Sequence, residues 1–295
     1  MRRVGVVGLG GMGKALTESL LAEGYQVTCY DSRPEALAVV CMYGASSAVS
    51  ARQVAESSDV VLTFLPGPAE VLEVALDPEV GVLAGLAPGA AMIDMSTCSP
   101  TVADTVGEAF AAAGRSFIDA PVSGKAPRMT VLVGGEEGIL GDDEQVLRDV
   151  STTLIYCGRL GSGYATKLLN QHVKYSWYLA SAEALLIARR MGLDAAAVAT
   201  AIEQCSGGDS GLTTAAEYYR QDARAMRRHA PASTIEKDMI LAEAMAADAG
   251  VDSPTVSVVA DFFRSVSSTP FRAMPYPQSN ELLETIRTSL IKAGA

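Results

Sequence analysis

At 295 residues the chain is long enough for two domains, and with 49% apolar residues it can fill two cores. A formal net charge of −11 argues against the basic footprint of a nucleic-acid surface. Five cysteines without a Cys-x-x-Cys spacing, and only two histidines, argue against a Cys/His zinc site and predict reduced thiols in the cytoplasm.

The basic start, Met1-Arg2-Arg3, leads into an apolar run that resembles a short export signal, but the glycines and then Lys14, Thr17 and Glu18 break it before a secretory length. No window approaches the roughly 20 apolar residues of a membrane-spanning helix. Arg3 to Val7 predicts a buried strand, Lys14 to Ala22 a helix ended by Gly24, and Gln26 to Tyr30 a second strand before a helix near Pro34. Val60 to Leu65, Ala91 to Met95, Ser116 to Ile118 and Met129 to Val133 are further strands. Strands alternating with helices imply a mainly parallel sheet covered on both faces, an α/β doubly wound domain.

After Gly163 the period changes. Leu169, Val173, Trp177, Ala180, Ala184, Ile187 and Met191 recur at steps of three and four, which predicts one long helix over 165–191 with this stripe, Trp177 included, in the core. The rest reads as helices with breaks at Gly192, Ser206–Gly211, Pro231 and Gly250–Pro254. The expected division is 1–162 for the first domain and 163–295 for an all-helical second domain, joined by the long helix.

Gly8, Gly10 and Gly13 form GLGGMG between the first strand and first helix, with Leu9, Gly11 and Met12 completing the loop. The first glycine allows the tight turn, the second lets backbone approach a pyrophosphate, and the third lets helix and strand pack closely. The helix N-terminus supplies amide donors and a positive dipole. Asp31 ends the second strand about 20 residues on, as a ribose-binding carboxylate should. It favours NAD by accepting from both ribose hydroxyls and repelling a 2′-phosphate. Ser32 and Arg33 follow; Arg33 either holds the 2′-phosphate of NADP or is a solvated helix-start residue.

These residues resemble the β-hydroxyacid dehydrogenase family, which includes 3-hydroxyisobutyrate dehydrogenase, tartronate semialdehyde reductase and, more distantly, 6-phosphogluconate dehydrogenase. VGVVGLGGMGKAL is similar to the family's N-terminal signature. TFLPG, with Leu65 and Pro66, resembles the loop that passes the cofactor, and IDMSTCSP, with Ser96 and Thr97, the segment beside the nicotinamide. DAPVSG resembles the substrate signature, GSGYATKLLNQ the start of the catalytic helix, and EKDM the C-terminal motif that places Lys237 near the cofactor. The resemblance implies a Rossmann domain, then an all-helical domain, with the site in the cleft between them and association through the helical half.

Lys167, Asn170 and Gln171 lie three and four apart on one face of the predicted helix, and Lys174 continues that face toward the substrate. Hydride transfer to a carbonyl carbon leaves negative charge on oxygen. A lysine ammonium in a partly dry cleft can hold that charge and give the proton, and burial lowers its pKa toward the working pH. Either amide, Asn170 or Gln171, can orient the reacting oxygen. Ser123 and Gly124 can grip a carboxylate. Where the family reads SGG, this chain has Ser123-Gly124-Lys125, in a shortened segment with Pro127 and Arg128. Lys125 either adds a charge for an acidic substrate or points to solvent.

His172 and His229 have no partner pattern and read as structural. The expectation is a cytoplasmic, homodimeric or larger NAD-dependent oxidoreductase, with NADP as the other cofactor, acting on a small carboxylate-bearing hydroxyacid. No nucleic-acid partner, membrane partner or metal is expected. The alternatives are an imine reductase of the same architecture, against which Lys167 counts, and a non-catalytic dinucleotide-binding protein.

Overall fold

The computed structural model describes residues 2–205, 207–208 and 210–284. Two compact units make up the chain, Met1–Lys167 and Leu168–Ala295.

In the first unit, strands β1 (Arg3–Val7), β2 (Gln26–Tyr30), β3 (Ser46–Ser47), β4 (Val60–Thr63), β5 (Ala91–Asp94) and β6 (Ser116–Asp119) form a parallel sheet in the order β3-β2-β1-β4-β5-β6. This is the doubly wound Rossmann order, whose chain reverses direction across the sheet between β1 and β4. Helices α1 (Gly11–Ala22), α2 (Pro34–Cys41), α3 (Ala51–Glu56), α4 (Pro68–Leu76), α5 (Val82–Gly85) and α6 (Pro100–Ala112) cross between the strands. The central strands β4 and β5 are buried throughout, which is why they read as unbroken apolar runs. One core lies around Val6, Leu16, Leu62 and Ile93, and another around Val61, Met92, Val106 and Phe110.

A second sheet follows, of β7 (Val122–Lys125), β8 (Arg128–Val133) and β9 (Thr153–Tyr156), in the order β7-β8-β9. Helix α7 (Glu144–Asp149) lies before β9. Of this sheet only β8 is anticipated by its sequence. Strands β7 and β8 pair antiparallel with Lys125 opposite Arg128, so Ser123-Gly124-Lys125 is an extended arm of a hairpin and not a loop. Its Pro, Gly and Lys mask the strand pattern, and β9 alternates exposed and half-buried over only four residues.

The long helix α8 spans Ser162–Arg190. In the second unit it is followed by α9 (Ala195–Glu203), α10 (Ser210–Tyr219), α11 (Ala223–Met226), α12 (Ala232–Asp248) and α13 (Pro254–Ser267). The predicted breaks at Gly192, Pro231 and Gly250–Pro254 fall between these helices. Ser206 and Asp209 of the fourth break lie outside the described residues, as does the helical expectation for 285–295.

The expected core stripe of α8 is wrong. Trp177 is 52% and Met191 71% exposed, and Leu169, Val173, Ala180, Ala184 and Ile187 are exposed with them. The buried face carries Leu168, Tyr175, Tyr178, Leu179, Ala182 and Leu185 instead, packed with Phe263 and Tyr276. Both faces are apolar enough to give a helical period, so periodicity finds the helix but not the face. Tyrosine looks polar, yet Tyr178 is buried because its hydroxyl is satisfied, donating to Asn280 Oδ1 at 2.8 Å, with Ser279 Oγ at 3.0 Å as a second partner.

Candidate active site

The six parallel strands end at one edge of the sheet, where the predicted dinucleotide residues gather. Gly8 follows β1 with φ +89°, and a Cβ there would sit 2.1 Å from the Phe64 carbonyl oxygen. A Cβ on Gly13 would lie 1.9 Å from the Gly8 carbonyl oxygen, so only glycine lets α1 pack this closely on β1. Gly10 and Gly11 differ: a Cβ on either would meet nothing within 4 Å. Helix α1 has no side-chain cap and no acidic residue in its first turn, so its leading amides face that open space. The loop therefore fits a dinucleotide pyrophosphate.

Asp31, at the end of β2, is held from three directions. Leu9 N–H donates to its Oδ2 at 2.6 Å, and Arg33 reaches both oxygens, Nε at 3.0 Å and a terminal nitrogen at 3.1 Å. Burial pushes this carboxyl up, but the Arg33 and backbone hydrogen bonds outweigh it and hold it below the usual range. Ser32 is exposed beside it. After β4, half-buried Leu65 and exposed Pro66 occupy the same edge. Leu65 N–H donates to Ser96 Oγ at 2.8 Å, with half-buried Thr97 next to Ser96.

The hairpin places Ser123 half-buried, and Gly124 and Lys125 exposed. Gly124 has φ +88°, and a Cβ there would sit 2.8 Å from the Arg128 carbonyl oxygen.

Sequence reasoning missed two buried aspartates in this unit. Asp119 opens the DAPVSG motif, but its carboxylate serves α8: Gly161 N–H donates to Oδ1 and Tyr164 N–H to Oδ2, each at 2.8 Å. A negative charge at a helix N-terminus is the favourable sense of the dipole. Gly163 belongs to the same arrangement, since a Cβ on it would lie 2.3 Å from the Leu132 carbonyl oxygen and 2.9 Å from Asp119 Oδ2. Asp94, at the end of β5, accepts from Thr63, Ser96 and Tyr164. Burial raises the pKa of both carboxyls, against the pull of those donors. An acidic residue ending a strand gives no sign in sequence of which distant helix it caps.

Lys167 closes the second turn of α8 and is only 7% exposed. In the second unit, Asn170 is exposed and Gln171 buried. Gln171 is committed to its neighbours: Nε2 donates to Asp238 Oδ2 at 2.5 Å, and Oε1 accepts from Asn170 Nδ2 at 3.2 Å. Asp238 is buried and paired with half-buried Lys237 at 3.0 Å. It is a further residue the sequence reading passed over, although it stands beside Lys237 in the motif. Lys174 is exposed as a residue, but its ammonium lies 5.1 Å from the Tyr175 ring centre and 6.0 Å from that of Tyr276. Desolvation there lowers its pKa, opposed by the charge of Asp238. His172 Nδ1 lies 3.2 Å from Ser176 Oγ, and His229 pairs with Glu217 at 2.8 Å.

The family comparison decides what this edge is for. The NAD-binding domain family of 6-phosphogluconate dehydrogenase matches residues 3–161, and the NAD-binding family of NADP-dependent 3-hydroxyisobutyrate dehydrogenase matches 161–272. The chain belongs to the 6-phosphogluconate and 3-hydroxyisobutyrate dehydrogenase-like oxidoreductases. It is therefore an NAD(P)-dependent dehydrogenase or reductase. It is 30% identical over 279 residues to an NAD-dependent L-serine dehydrogenase of Pseudomonas aeruginosa, covering 93% of this chain and 90% of that protein. A 3-hydroxyisobutyrate dehydrogenase of the same organism is 33% identical over 217 residues, 72% of each chain. A Mycobacterium tuberculosis 3-hydroxyisobutyrate dehydrogenase solved with L-serine superposes with a TM-score of 0.85 at 28% identity, over 96% of this chain and 99% of that one. No helix among the described residues is long and apolar enough to cross a membrane.

Proposed function

We propose that the chain reversibly oxidises a small β-hydroxyacid to its semialdehyde with NAD, and that Lys167 moves the proton. The observation that carries this is the burial of Lys167 within the second turn of α8, a helix start clamped by Asp119. Lysine is almost never buried without a specific partner or task, so this position is not that of an ordinary surface charge.

The bound dinucleotide supplies the hydride acceptor for oxidation and the hydride donor for reduction. In oxidation the unprotonated Lys167 amine takes the hydroxyl proton as the carbonyl forms. In reduction its ammonium returns the proton to the developing alkoxide. Asn170 orients the reacting oxygen, because the Gln171 amide is already engaged by Asp238 and Asn170. Ser123 Oγ and the Gly124 amide grip the substrate carboxylate, with Lys125 and Lys174 adding positive charge. Lys237 is the residue that the C-terminal motif assigns to the cofactor. Asp31, held ionised, favours NAD by repelling a 2′-phosphate, and Arg33 leaves NADP as the weaker alternative.

The exposed stripe of α8 supports a homodimer or larger assembly. Leu169, Val173, Trp177, Ile187 and Met191 are exposed large apolar residues recurring along one helix, the kind of surface a second copy would cover.

The test is a panel of β-hydroxyacids, including 3-hydroxyisobutyrate and L-serine, followed by dinucleotide reduction with NAD and with NADP. Turnover of at least one small β-hydroxyacid supports the reading. Turnover of cyclic imines alone makes the chain an imine reductase. Dinucleotide binding without turnover of any compound makes it a non-catalytic binder.

A further inference from the structure

We propose that Asp94 is a positioning residue for the reaction, tying the nicotinamide-side loops and the first turn of α8 to one buried carboxylate through Ser96 and Tyr164. The proposal rests on the reading of Lys167 as the acid and base, and every contact it uses lies within the first unit.

Asp94 is the last residue of β5 and is fully buried. Among the described residues it has no ion-pair partner; three hydroxyls surround it. Thr63 donates from the end of β4. Ser96 donates at 2.7 Å to the same oxygen, Oδ1. Tyr164 donates to Oδ2 from the first turn of α8. A buried, unpaired carboxylate is an expensive way to hold two loops together, and a neutral amide or a methyl contact would carry packing alone.

What the carboxylate adds is direction. With the carboxylate ionised, the Ser96 O–H points at it, and the Ser96 lone pairs then face Leu65 N–H at 2.8 Å. One proton chain thus fixes the loop after β4 and the loop after β5, the segments that the resemblance assigns to the passage of the cofactor and to the side of the nicotinamide. The other arm fixes α8. The Tyr164 ring is fully buried, its hydroxyl is on Asp94 and its amide is on Asp119. Helix rotation and slip at this turn are both constrained, and Lys167 stands three residues further on. A shift of about 1 Å in a reacting group can cost on the order of 100-fold in rate.

Tyr164→Phe removes only the arm to the helix, Ser96→Ala only the arm to the loops, and Asp94→Asn replaces one of the two acceptor oxygens with a donor, so that either the Tyr164 hydroxyl or the Thr63 and Ser96 hydroxyls lose their acceptor. Each is measured beside Lys167→Ala, with dinucleotide Kd, kcat, KM and thermal melting recorded on folded protein. Tyr164→Phe is expected to keep dinucleotide Kd within about twofold and lower kcat by about 10- to 100-fold. Asp94→Asn is expected to lower kcat as far and also to weaken dinucleotide binding, as Ser96→Ala does. Variants that melt earlier yet turn over with wild-type kcat and KM would overturn the proposal and leave Asp94 a packing residue. If Asp94→Asn does not fold, Tyr164→Phe decides by the same split. Inactive Lys167→Ala beside a full-speed Tyr164→Phe defeats this proposal alone, whereas a fully active Lys167→Ala defeats the reading on which it rests.

Discussion

Gln171 Nε2 donates to Asp238 Oδ2 at 2.5 Å, so the amide four residues after Lys167 is spent on a buried carboxylate. The exposed amide of Asn170 is then the one left to turn toward substrate. The two neighbours should therefore fail differently. Gln171→Leu should cost mainly stability, about 1–3 kcal/mol for removing a partner from a buried polar group. Asn170→Ala should melt near wild type and lose kcat. Urea unfolding and steady-state kinetics on both variants check this, and a Gln171→Leu enzyme of normal stability but low kcat would reverse the roles.

Asp31 should set the cofactor choice. Asp31→Ser removes the ribose bonds and the phosphate repulsion together, so kcat/KM should fall for NAD and rise for NADP. The pH dependence has a definite sign. The folded pKa of Asp31 lies below the usual value of about 3.9, so its charge is fully present above that value and is lost only as pH falls through the lower, folded one. NAD affinity measured by fluorescence quenching should show no loss assignable to Asp31 between about pH 5 and pH 8.

Lys125 ends β7 and is exposed beside the Ala126-Pro127 turn. If it holds an anionic group of the substrate, Lys125→Ala should raise KM for the acid several-fold with kcat nearly unchanged, the signature of lost uniform binding. An unchanged KM would return this side chain to solvent.

The stripe on α8 predicts self-association. Light scattering at micromolar concentration should report a dimer or larger species. Trp177→Glu, which places a charge in the middle of the stripe at a residue already 52% exposed, should shift the protein toward monomer without lowering its content of secondary structure.

The first unit was largely legible because parallel strands buried on both faces read as apolar runs, and Val60–Thr63 and Ala91–Asp94 are such runs. The glycine loop was legible for a steric reason that the structure repeats, in the clashes a Cβ would meet at Gly8 and Gly13. What escaped was whatever depends on distant partners. The period of α8 gave the helix, but two apolar faces compete, and the one bearing Tyr175 and Tyr178 won because their rings and hydroxyls find partners across α13 and the Tyr276 segment. Asp94, Asp119 and Asp238 all sit inside the IDMSTCSP, DAPVSG and EKDM motifs. Their roles stay hidden because each of these three accepts from a donor lying 42 to 70 residues away in sequence.

The central claim is that Lys167 transfers the proton. Lys167→Ala, assayed with the best substrate of the hydroxyacid panel, tests it most directly. The account predicts near-normal NAD binding, because Gly8–Gly13 and Asp31 are intact, with kcat reduced by about 10²–10⁴, the usual worth of a positioned acid or base. Lys167→Arg should recover little, since a guanidinium keeps the charge but does not release its proton near neutral pH. A fully active Lys167→Ala enzyme would contradict the account.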